Sequence, residues 1–194
     1  MRIKIKYILI FVFVILFILF LNLIYFFNIN RINIIKPVLT KGYNNFNAKE
    51  YIVRGYSLNP LIKNNDCIYI LKDYYKDNKI KHEDIIAYDF IGNEDLIIKI
   101  VKALPGDKFE MRENEDQKWN IFINNSILKN SEGLSYSLNE QKSKMLRLYS
   151  KNYPIIPDNR YLILGNSPEG SLDSSKFGFA DRENIIGKVK KCAD

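Results

Sequence analysis

The sequence predicts a mostly β domain behind a single N-terminal transmembrane helix. Residues 7–27 are apolar except for Asn22, and a run of that length can cross the hydrocarbon core of a bilayer as one helix. After residue 50 the chain breaks into short runs of β-branched and aromatic residues separated by Gly, Pro, Asn and Asp, a pattern typical of strands. With 194 residues, the chain has room for one anchor and one domain with its own core.

The N-terminal segment, residues 1–28, is predicted to be a permanent anchor whose partner is the lipid bilayer. The apolar run is longer than that of a cleaved signal peptide, and no small-x-small cleavage site follows it. Three basic residues precede the helix, and only Arg31 and Lys36 follow it closely. Because positive charges stay on the cytoplasmic side, this bias predicts a cytoplasmic N-terminus and a domain outside the cytoplasm.

The rest of the chain divides into a linker, residues 29–50, and a β domain, residues 51–194. The linker prediction is based on a polar, Asn-rich composition. One further helix is predicted near Asn139–Tyr149, and a turn at Asn124–Ser126. The predicted strands are Tyr51–Val53, Cys67–Leu71, Ile85–Tyr88, Leu96–Leu104, Lys118–Ile123, Tyr161–Leu164 and Ile185–Val189.

Composition argues against nucleic-acid binding and against a structural metal site. The net charge is +7, but the basic residues form no arm, and acidic residues run throughout the chain. A solvated basic surface near anionic lipid explains this balance better than a nucleic-acid partner. The only cysteines, Cys67 and Cys192, lie far apart, and His82 is the only histidine, so no zinc spacing is present. Whether the two cysteines pair stays open.

Lys99 is a candidate general base because of its position in the strongest predicted strand. Alternate residues of a strand share a face, so Lys99 lies between Ile97 and Val101. Burial there would lower the pKa of the amine, and a neutral amine can accept a proton from a hydroxyl. Lys102 is equally flanked by isoleucines on the opposite face, so periodicity alone leaves both lysines open. Either could also be an edge lysine that reaches water.

Ser57 is the candidate nucleophile, although its own sequence context is only weakly informative. It precedes Asn59-Pro60, which is typical of an ordinary turn, and Asn59 breaks the Gly-x-Ser-x-Gly pattern. A Ser-His-Asp triad would require His82, which lies in the charged run Lys81–Asp84.

Three motifs together resemble the bacterial type I signal peptidases, which are membrane-anchored Ser/Lys endopeptidases. The family's Ser-Met-x-Pro-Thr-Leu stands here as Ser57-Leu58-Asn59-Pro60-Leu61-Ile62. The family's Lys-Arg-x-x-x-x-Pro-Gly-Asp stands as Lys99 to Asp107, and this register selects Lys99 over Lys102. The family's Gly-Asp-Asn-x-x-x-Ser-x-Asp-Ser-Arg-x-x-Gly matches residues 165–178 in spacing. Asn166 and Ser167 replace its Asp-Asn, and Ser175 replaces its arginine.

The resemblance implies a signal-peptidase-like β domain and a role for each matched residue. Ser57 would be the nucleophile and Lys99 its base, with the backbone N–H of Ser57 as one oxyanion donor. Ser171 would hydrogen-bond and orient the lysine amine. Asp173 would hold the surrounding loop, with the cation opposite it left open because Ser175 replaces the arginine. Gly55 stands where some members carry a second oxyanion donor, a serine hydroxyl.

The resemblance also implies a location and a substrate class. The enzyme would be a single-pass protein of the bacterial plasma membrane that cleaves signal peptides from exported preproteins at small-x-small sites, without a cofactor. Two alternatives stay open. One is the conjugative-transfer branch, with one dedicated substrate; the other is an inactive, membrane-anchored binding protein on the same fold. The related self-cleaving SOS repressors share a similar core, but the predicted membrane helix argues against them, because they carry a DNA-binding domain in its place.

Overall fold

The computed structural model describes residues 34–37, 47–91 and 96–192, and for residues 34–37 it describes the backbone alone. The predicted anchor, residues 1–28, lies outside the described residues. Within the described part, the longest helix has 13 residues, and no helix there is long and apolar enough to span a membrane.

The described chain is mostly β, as predicted. The strands are β1 (Ile34–Pro37), β2 (Ala48–Arg54), β3 (Cys67–Leu71), β4 (Ile85–Tyr88), β5 (Ile97–Ala103), β6 (Phe109–Glu113), β7 (Trp119–Ile123), β8 (Ser126–Ile127), β9 (Ser137–Leu138), β10 (Arg160–Leu164), β11 (Ala180–Asp181) and β12 (Ile185–Lys191). The helices are α1 (Tyr74–Asp77), α2 (Glu140–Asn152) and α3 (Ser174–Phe177), with a 3₁₀ turn at Arg182–Asn184.

Two antiparallel sheets form the scaffold. The larger sheet has the order β1-β2-β3-β12-β4-β5-β10-β11. The smaller sheet has the order β6-β7-β8, with β9 also paired to β7. Two buried apolar clusters occur among the described residues. One contains residues of the larger sheet, and the other combines β6, β7 and β9 of the smaller sheet with residues of β5 and β10 from the larger one.

Strand β5 lies deep in the larger sheet, between β4 and β10. All seven of its residues are buried, because apolar clusters cover both of its faces. Its sequence is therefore almost continuously apolar, as is typical of a strand without a solvent face. Both lysines of this strand, Lys99 and Lys102, are consequently buried.

The predicted strands are confirmed, with boundaries that agree within a few residues except at β2. Strand β1 and the first three residues of β2 fall inside residues 29–50, the segment predicted as a linker. The polar, Asn-rich composition of the whole segment hid them, since β1 has only four residues and β2 begins with Ala48-Lys49-Glu50. Sequence analysis also missed β6, the short strands β8, β9 and β11, and the one-turn helices α1 and α3.

The predicted helix is confirmed as α2. Asn139 caps its first turn, since the Asn139 Oδ1 accepts a hydrogen bond from the backbone N–H of Lys142 at 2.9 Å. Ser143 and Leu146 face the small-sheet core, and Lys144 faces solvent. The predicted turn at residues 124–126 joins β7 to β8, with Asn124 and Asn125 both at positive φ, as a tight hairpin turn requires.

Cys67 and Cys192 form a disulfide, which answers the question that the sequence left open. Cys67 begins β3 and Cys192 follows β12, and these two strands pair along their length. The pairing brings the two Cα atoms to 5.4 Å, within the usual range for a disulfide. The bond therefore ties the last strand of the chain to the first third of the domain.

Candidate active site

The turn after β2 presents Ser57 at the surface of the larger sheet. Gly55 has a φ of +113°, which glycine adopts without strain, and its N–H donates to Asn64 Oδ1 at 2.9 Å. Leu58 is buried in the core, whereas Tyr56 is exposed. The alternation of buried and exposed side chains anchors the turn and leaves Ser57 half-buried between them.

Lys99 reaches Ser57 from β5, although 42 residues separate them in the chain. The Lys99 Nζ lies 3.0 Å from Ser57 Oγ, which is hydrogen-bond distance. The Nζ also donates to the Ile98 carbonyl at 2.8 Å. Only 1% of the lysine is exposed. The structure thus brings the predicted nucleophile and the predicted base into contact.

Burial lowers the pKa of Lys99 to about 8 from its ordinary value of 10.5. The cause is desolvation of the ammonium, which disfavours the charged form. The negative charge of Asp173 opposes this shift, but it is the smaller effect. A substantial fraction of Lys99 is therefore neutral at mildly alkaline pH, and the neutral amine has a lone pair for a proton.

Lys102 and His82, the alternative bases, are engaged elsewhere. The Lys102 Nζ donates to both carboxylate oxygens of Glu83 at 2.8 Å and to the Lys129 carbonyl at 3.2 Å. The His82 Nε2 lies 2.7 Å from Asp107 Oδ2, and the histidine is exposed. Lys102 is thus held in an ion pair with Glu83, whereas Lys99 contacts Ser57. Periodicity placed the two lysines on opposite faces of β5 but could not identify these partners.

Asp173 is fully buried and accepts a convergent set of hydrogen bonds. Its Oδ2 accepts from the Gly165 N–H at 2.9 Å, the Ser171 N–H at 3.2 Å and the Ser171 hydroxyl at 2.6 Å. Its Oδ1 accepts from the Ser175 N–H at 2.9 Å and so caps α3. In the described part of the chain, no lysine or arginine is in salt-bridge contact with this carboxylate. Three backbone N–H groups and the Ser171 hydroxyl donate to it where the family motif would supply an arginine.

Ser171 lies beside the site, but its expected hydrogen bond to Lys99 is not among those of the described residues. The hydroxyl donates to Asp173 instead, because a carboxylate is the stronger acceptor. Ser175, at the motif's arginine position, is buried with its hydroxyl 3.5 Å from the Ser171 carbonyl. The loop is therefore closed by hydrogen bonds to Asp173.

Gly165 allows the end of β10 to approach the nucleophile turn. A Cβ at this position would lie 2.5 Å from Ser171 Oγ and 2.9 Å from the Ser57 carbonyl oxygen, so a larger residue would push these groups apart. The Tyr136 hydroxyl donates to the Gly165 carbonyl at 2.6 Å and fixes it from the other side. The glycine that begins the third motif is thus required by close packing.

Sequence analysis missed the part played by Asn166, which it noted only as a departure from the motif. The Asn166 backbone N–H donates to the Ser57 carbonyl at 2.6 Å, and only 1% of the residue is exposed. Asn130 and Ser131, which contact Asn166, were missed entirely. The only sequence signal was the position of Asn166 beside Gly165, since no local pattern marks a partner 35 residues away.

One cluster of potential metal ligands occurs among the described residues. Glu50, Cys67 and Cys192 bring a carboxylate oxygen and two sulfurs within 4.8 Å of one another. Both sulfurs belong to the disulfide, so neither is available as a thiolate, which is the form that binds metals.

Comparisons with known proteins agree with the motifs. The family model described as "Signal peptidase, peptidase S26" matches residues 34–193. Signal peptidase IB of Staphylococcus aureus is 27% identical over 153 residues, covering 74% of this chain and 76% of the relative. Signal peptidase I P of Bacillus subtilis subsp. natto is 26% identical over 144 residues, covering 73% and 75% of the two chains.

A solved structure, a signal peptidase I from Enterococcus faecalis V583, matches 58% of this chain and 98% of its own at 24% identity. Its TM-score of 0.41 is too low to support a structural argument. The family model spans most of the chain, in the same region as the three motifs. On that match, the chain belongs to the type I signal peptidase family, peptidase S26.

Proposed function

We propose that this protein is a membrane-anchored serine endopeptidase that cleaves signal peptides from exported preproteins with a Ser57/Lys99 dyad. The observation that carries the proposal is the 3.0 Å contact between Ser57 Oγ and the buried Nζ of Lys99. A lysine with a pKa near 8 is suited to accept a proton from a serine hydroxyl near physiological pH.

The proposed reaction has two halves. Neutral Lys99 takes the proton of the Ser57 hydroxyl while Ser57 Oγ attacks the scissile carbonyl. Collapse of the tetrahedral intermediate breaks the C–N bond, and the Lys99 ammonium returns its proton to the leaving amine. Water then attacks the acyl-enzyme as Lys99 takes a proton from it, and the acyl C–O bond breaks as the Lys99 ammonium returns that proton to Ser57 Oγ. The Ser57 backbone N–H is the proposed oxyanion donor.

Ser171 and Asp173 are proposed to support the dyad rather than to react. Asp173 fixes the Gly165 N–H and the loop that passes Ser57, and its charge favours the ammonium form of Lys99. Ser171 would accept a hydrogen bond from the Lys99 ammonium while its own hydroxyl donates a hydrogen bond to Asp173. No cofactor enters this scheme.

The proposed setting is the outer face of a bacterial plasma membrane. Residues 1–28 would anchor the enzyme in the same bilayer as its substrates, which raises their effective concentration. The Cys67–Cys192 disulfide supports a domain outside the cytoplasm, because disulfides persist in oxidising compartments. The names of the Staphylococcus and Bacillus relatives, both signal peptidases, support the substrate class. Cleavage after small-x-small sequences is part of the proposal.

Cleavage of a preprotein with an Ala-x-Ala site tests the proposal, using the full chain in detergent or lipid. Ser57→Ala and Lys99→Ala should each lower kcat at least about a thousandfold, as expected for loss of a nucleophile or its base. Ser126→Ala and Lys144→Ala remove an exposed serine and an exposed lysine of other elements and should retain full activity.

The other possible results of this cleavage assay would contradict either the proposed dyad or the proposed substrate class. Loss in Ser57→Ala alone would assign the base to another residue. Cleavage retained in both variants would reject the dyad. A folded wild-type protein that does not cleave this preprotein would reject the general peptidase, and would favour a dedicated substrate or an inactive binding protein.

A further inference from the structure

Asn166 is a buried polar side chain near the proposed nucleophile, and its amide is fully hydrogen-bonded. It lies two residues after the end of β10, and only 1% of it is exposed. Its Nδ2 donates to the Asn59 carbonyl at 2.7 Å and to Ser131 Oγ at 2.8 Å. Its Oδ1 accepts from the Ser131 N–H at 3.0 Å. Both N–H groups of the amide and its oxygen therefore have partners.

The backbone of Asn166 extends the same network. Its N–H donates to the Ser57 carbonyl at 2.6 Å, and its carbonyl accepts from Asn130 Nδ2 at 3.0 Å. Asn130 in turn holds its own turn together, since its Oδ1 accepts the N–H groups of Glu132 and Leu134 at 2.9 Å. One residue thus joins three segments that are distant in sequence: the Ser57 turn, residues 130–134 and the end of β10.

We propose that Asn166 is a positioning residue that sets the direction of the Ser57 side chain towards Lys99. It holds the carbonyls of Ser57 and Asn59, on either side of the buried Leu58, with two separate donors. Two donors on alternate peptide groups leave the turn little freedom to rotate about Leu58. The inference rests on the proposed function, because it assumes that Ser57 is the nucleophile.

The geometry requires an amide at position 166, not a carboxylate. A carboxylate could still accept the Ser131 N–H, and the Ser131 hydroxyl could rotate to donate to it. The Asn59 carbonyl can only accept, so an ionised oxygen 2.7 Å away would repel it. Asn166→Asp therefore inverts one contact, the one to the nucleophile turn, and keeps the others. Aspartate is also the residue that the resembling motif carries here, so this variant would restore the motif and still lose activity.

The test is the cleavage kinetics of Asn166→Asp in the full chain, with kcat and KM measured separately. We expect kcat to fall about tenfold to a hundredfold, as expected for a misplaced reacting group, and KM to change less than about twofold. Ser131→Ala should cost less than about threefold, because the contact to Asn59 remains. Asn114→Asp is the matched control: it makes the same change at the turn between β6 and β7, and should leave kcat unchanged.

The outcomes separate this inference from the proposed function. A folded Asn166→Asp enzyme with wild-type kcat would overturn the positioning role, even if Ser57→Ala is inactive. If Ser57→Ala still cleaves, the proposed function fails, and with it the nucleophile that Asn166 would position. If Asn166→Asp does not fold, Asn166→Ser removes the same contact without adding charge. Its folded form must lose kcat, and wild-type kcat there would overturn the inference.

Discussion

At the scale of single residues, the site depends on one buried amine. Among the described residues, no carboxylate contacts Lys99 directly; its hydrogen bonds there go to the Ser57 hydroxyl and the Ile98 carbonyl. Lys102 lies three residues further along β5 and is also buried, but it has Glu83 as a direct partner. Desolvation lowers the pKa of Lys99, because no carboxylate in the described part of the chain contacts its amine directly and offsets the loss of water.

We predict that cleavage rises with pH as Lys99 loses its proton, with a midpoint near the pKa of about 8. The neutral amine is the active base, so kcat/KM should increase across this midpoint until the amine is fully neutral. The measurement is kcat/KM of the full chain against pH. A profile that is flat through this range would contradict the assignment of Lys99 as the base.

The same pKa shift affects stability. Unfolded Lys99 titrates near 10.5 and folded Lys99 near 8, so between these values the unfolded chain binds more protons. The stability that depends on Lys99 is therefore lowest below pH 8 and rises between pH 8 and 10.5. Lys99→Met should be inactive, and its melting temperature should exceed the wild-type value by a larger margin at pH 7 than at pH 10.

Of the two contacts predicted for Lys99, the one to Ser57 is present, whereas the Ser171 hydroxyl donates to Asp173. The motifs predicted that these residues lie together, because the spacing within each motif is kept even where single residues differ from the family pattern. The motifs could not predict Asn166 as an anchor of the turn, since its partners lie 35 and 107 residues away.

At the scale of elements, α2 is the part of the fold that sequence predicted most completely. The prediction placed a helix near Asn139–Tyr149, and α2 runs over Glu140–Asn152; its cap and its buried face were found only in the structure. It packs on the smaller sheet, where the Arg147 guanidinium lies 3.9 Å from the centre of the Trp119 ring. Trp119 is the only tryptophan of the chain, so its fluorescence reports on this packing.

We predict that Asn139→Ala destabilises the domain by about 1 kcal/mol, the usual loss for an N-cap. The substitution removes the hydrogen bond from the Lys142 N–H at 2.9 Å. The measurement is denaturant unfolding followed by Trp119 fluorescence. Asn139→Asp is the matched control, because aspartate keeps the acceptor oxygen. Equal stability of the two variants would contradict the capping role, and cleavage should be unaffected in both.

Strand β6 shows where element prediction failed. Its residues, Phe109–Glu113, alternate the apolar Phe109 and Met111 with charged residues, but only Phe109 is fully buried. So short a run, with two apolar residues and none of them β-branched, is a weak strand signal. It becomes a strand because β7 offers a five-residue antiparallel edge beside it, a contact between segments that sequence reading treats separately.

At the scale of the whole molecule, β12 organises the larger sheet. It comes last in the chain, yet it lies between β3 and β4, so the sheet is not complete until the C-terminal strand is in place. The Cys67–Cys192 disulfide then closes a loop with a sequence separation of 125 residues. A cross-link over so long a loop restricts the unfolded chain strongly.

We predict that Cys67→Ala/Cys192→Ala lowers the free energy of unfolding by about 2–4 kcal/mol and keeps the fold and the cleavage activity. Activity should survive because β12 still pairs with strands on both sides. The measurement is the melting temperature with and without a reductant. The reductant should lower the wild-type value and leave the double variant unchanged. An unchanged wild-type value would contradict a stabilising disulfide.

The sequence by itself determined the mostly β class, most of the longer strands, α2 and the family. All of these depend on local periodicity, turn residues and motif spacing. Tertiary structure decided which lysine contacts Ser57, whether the two cysteines pair, and how Asn166 and Asp173 hold the site. These features depend on contacts between segments far apart in the chain. Burial and hydrogen-bond partners at such distances are properties of the folded sheet, and no local pattern encodes them.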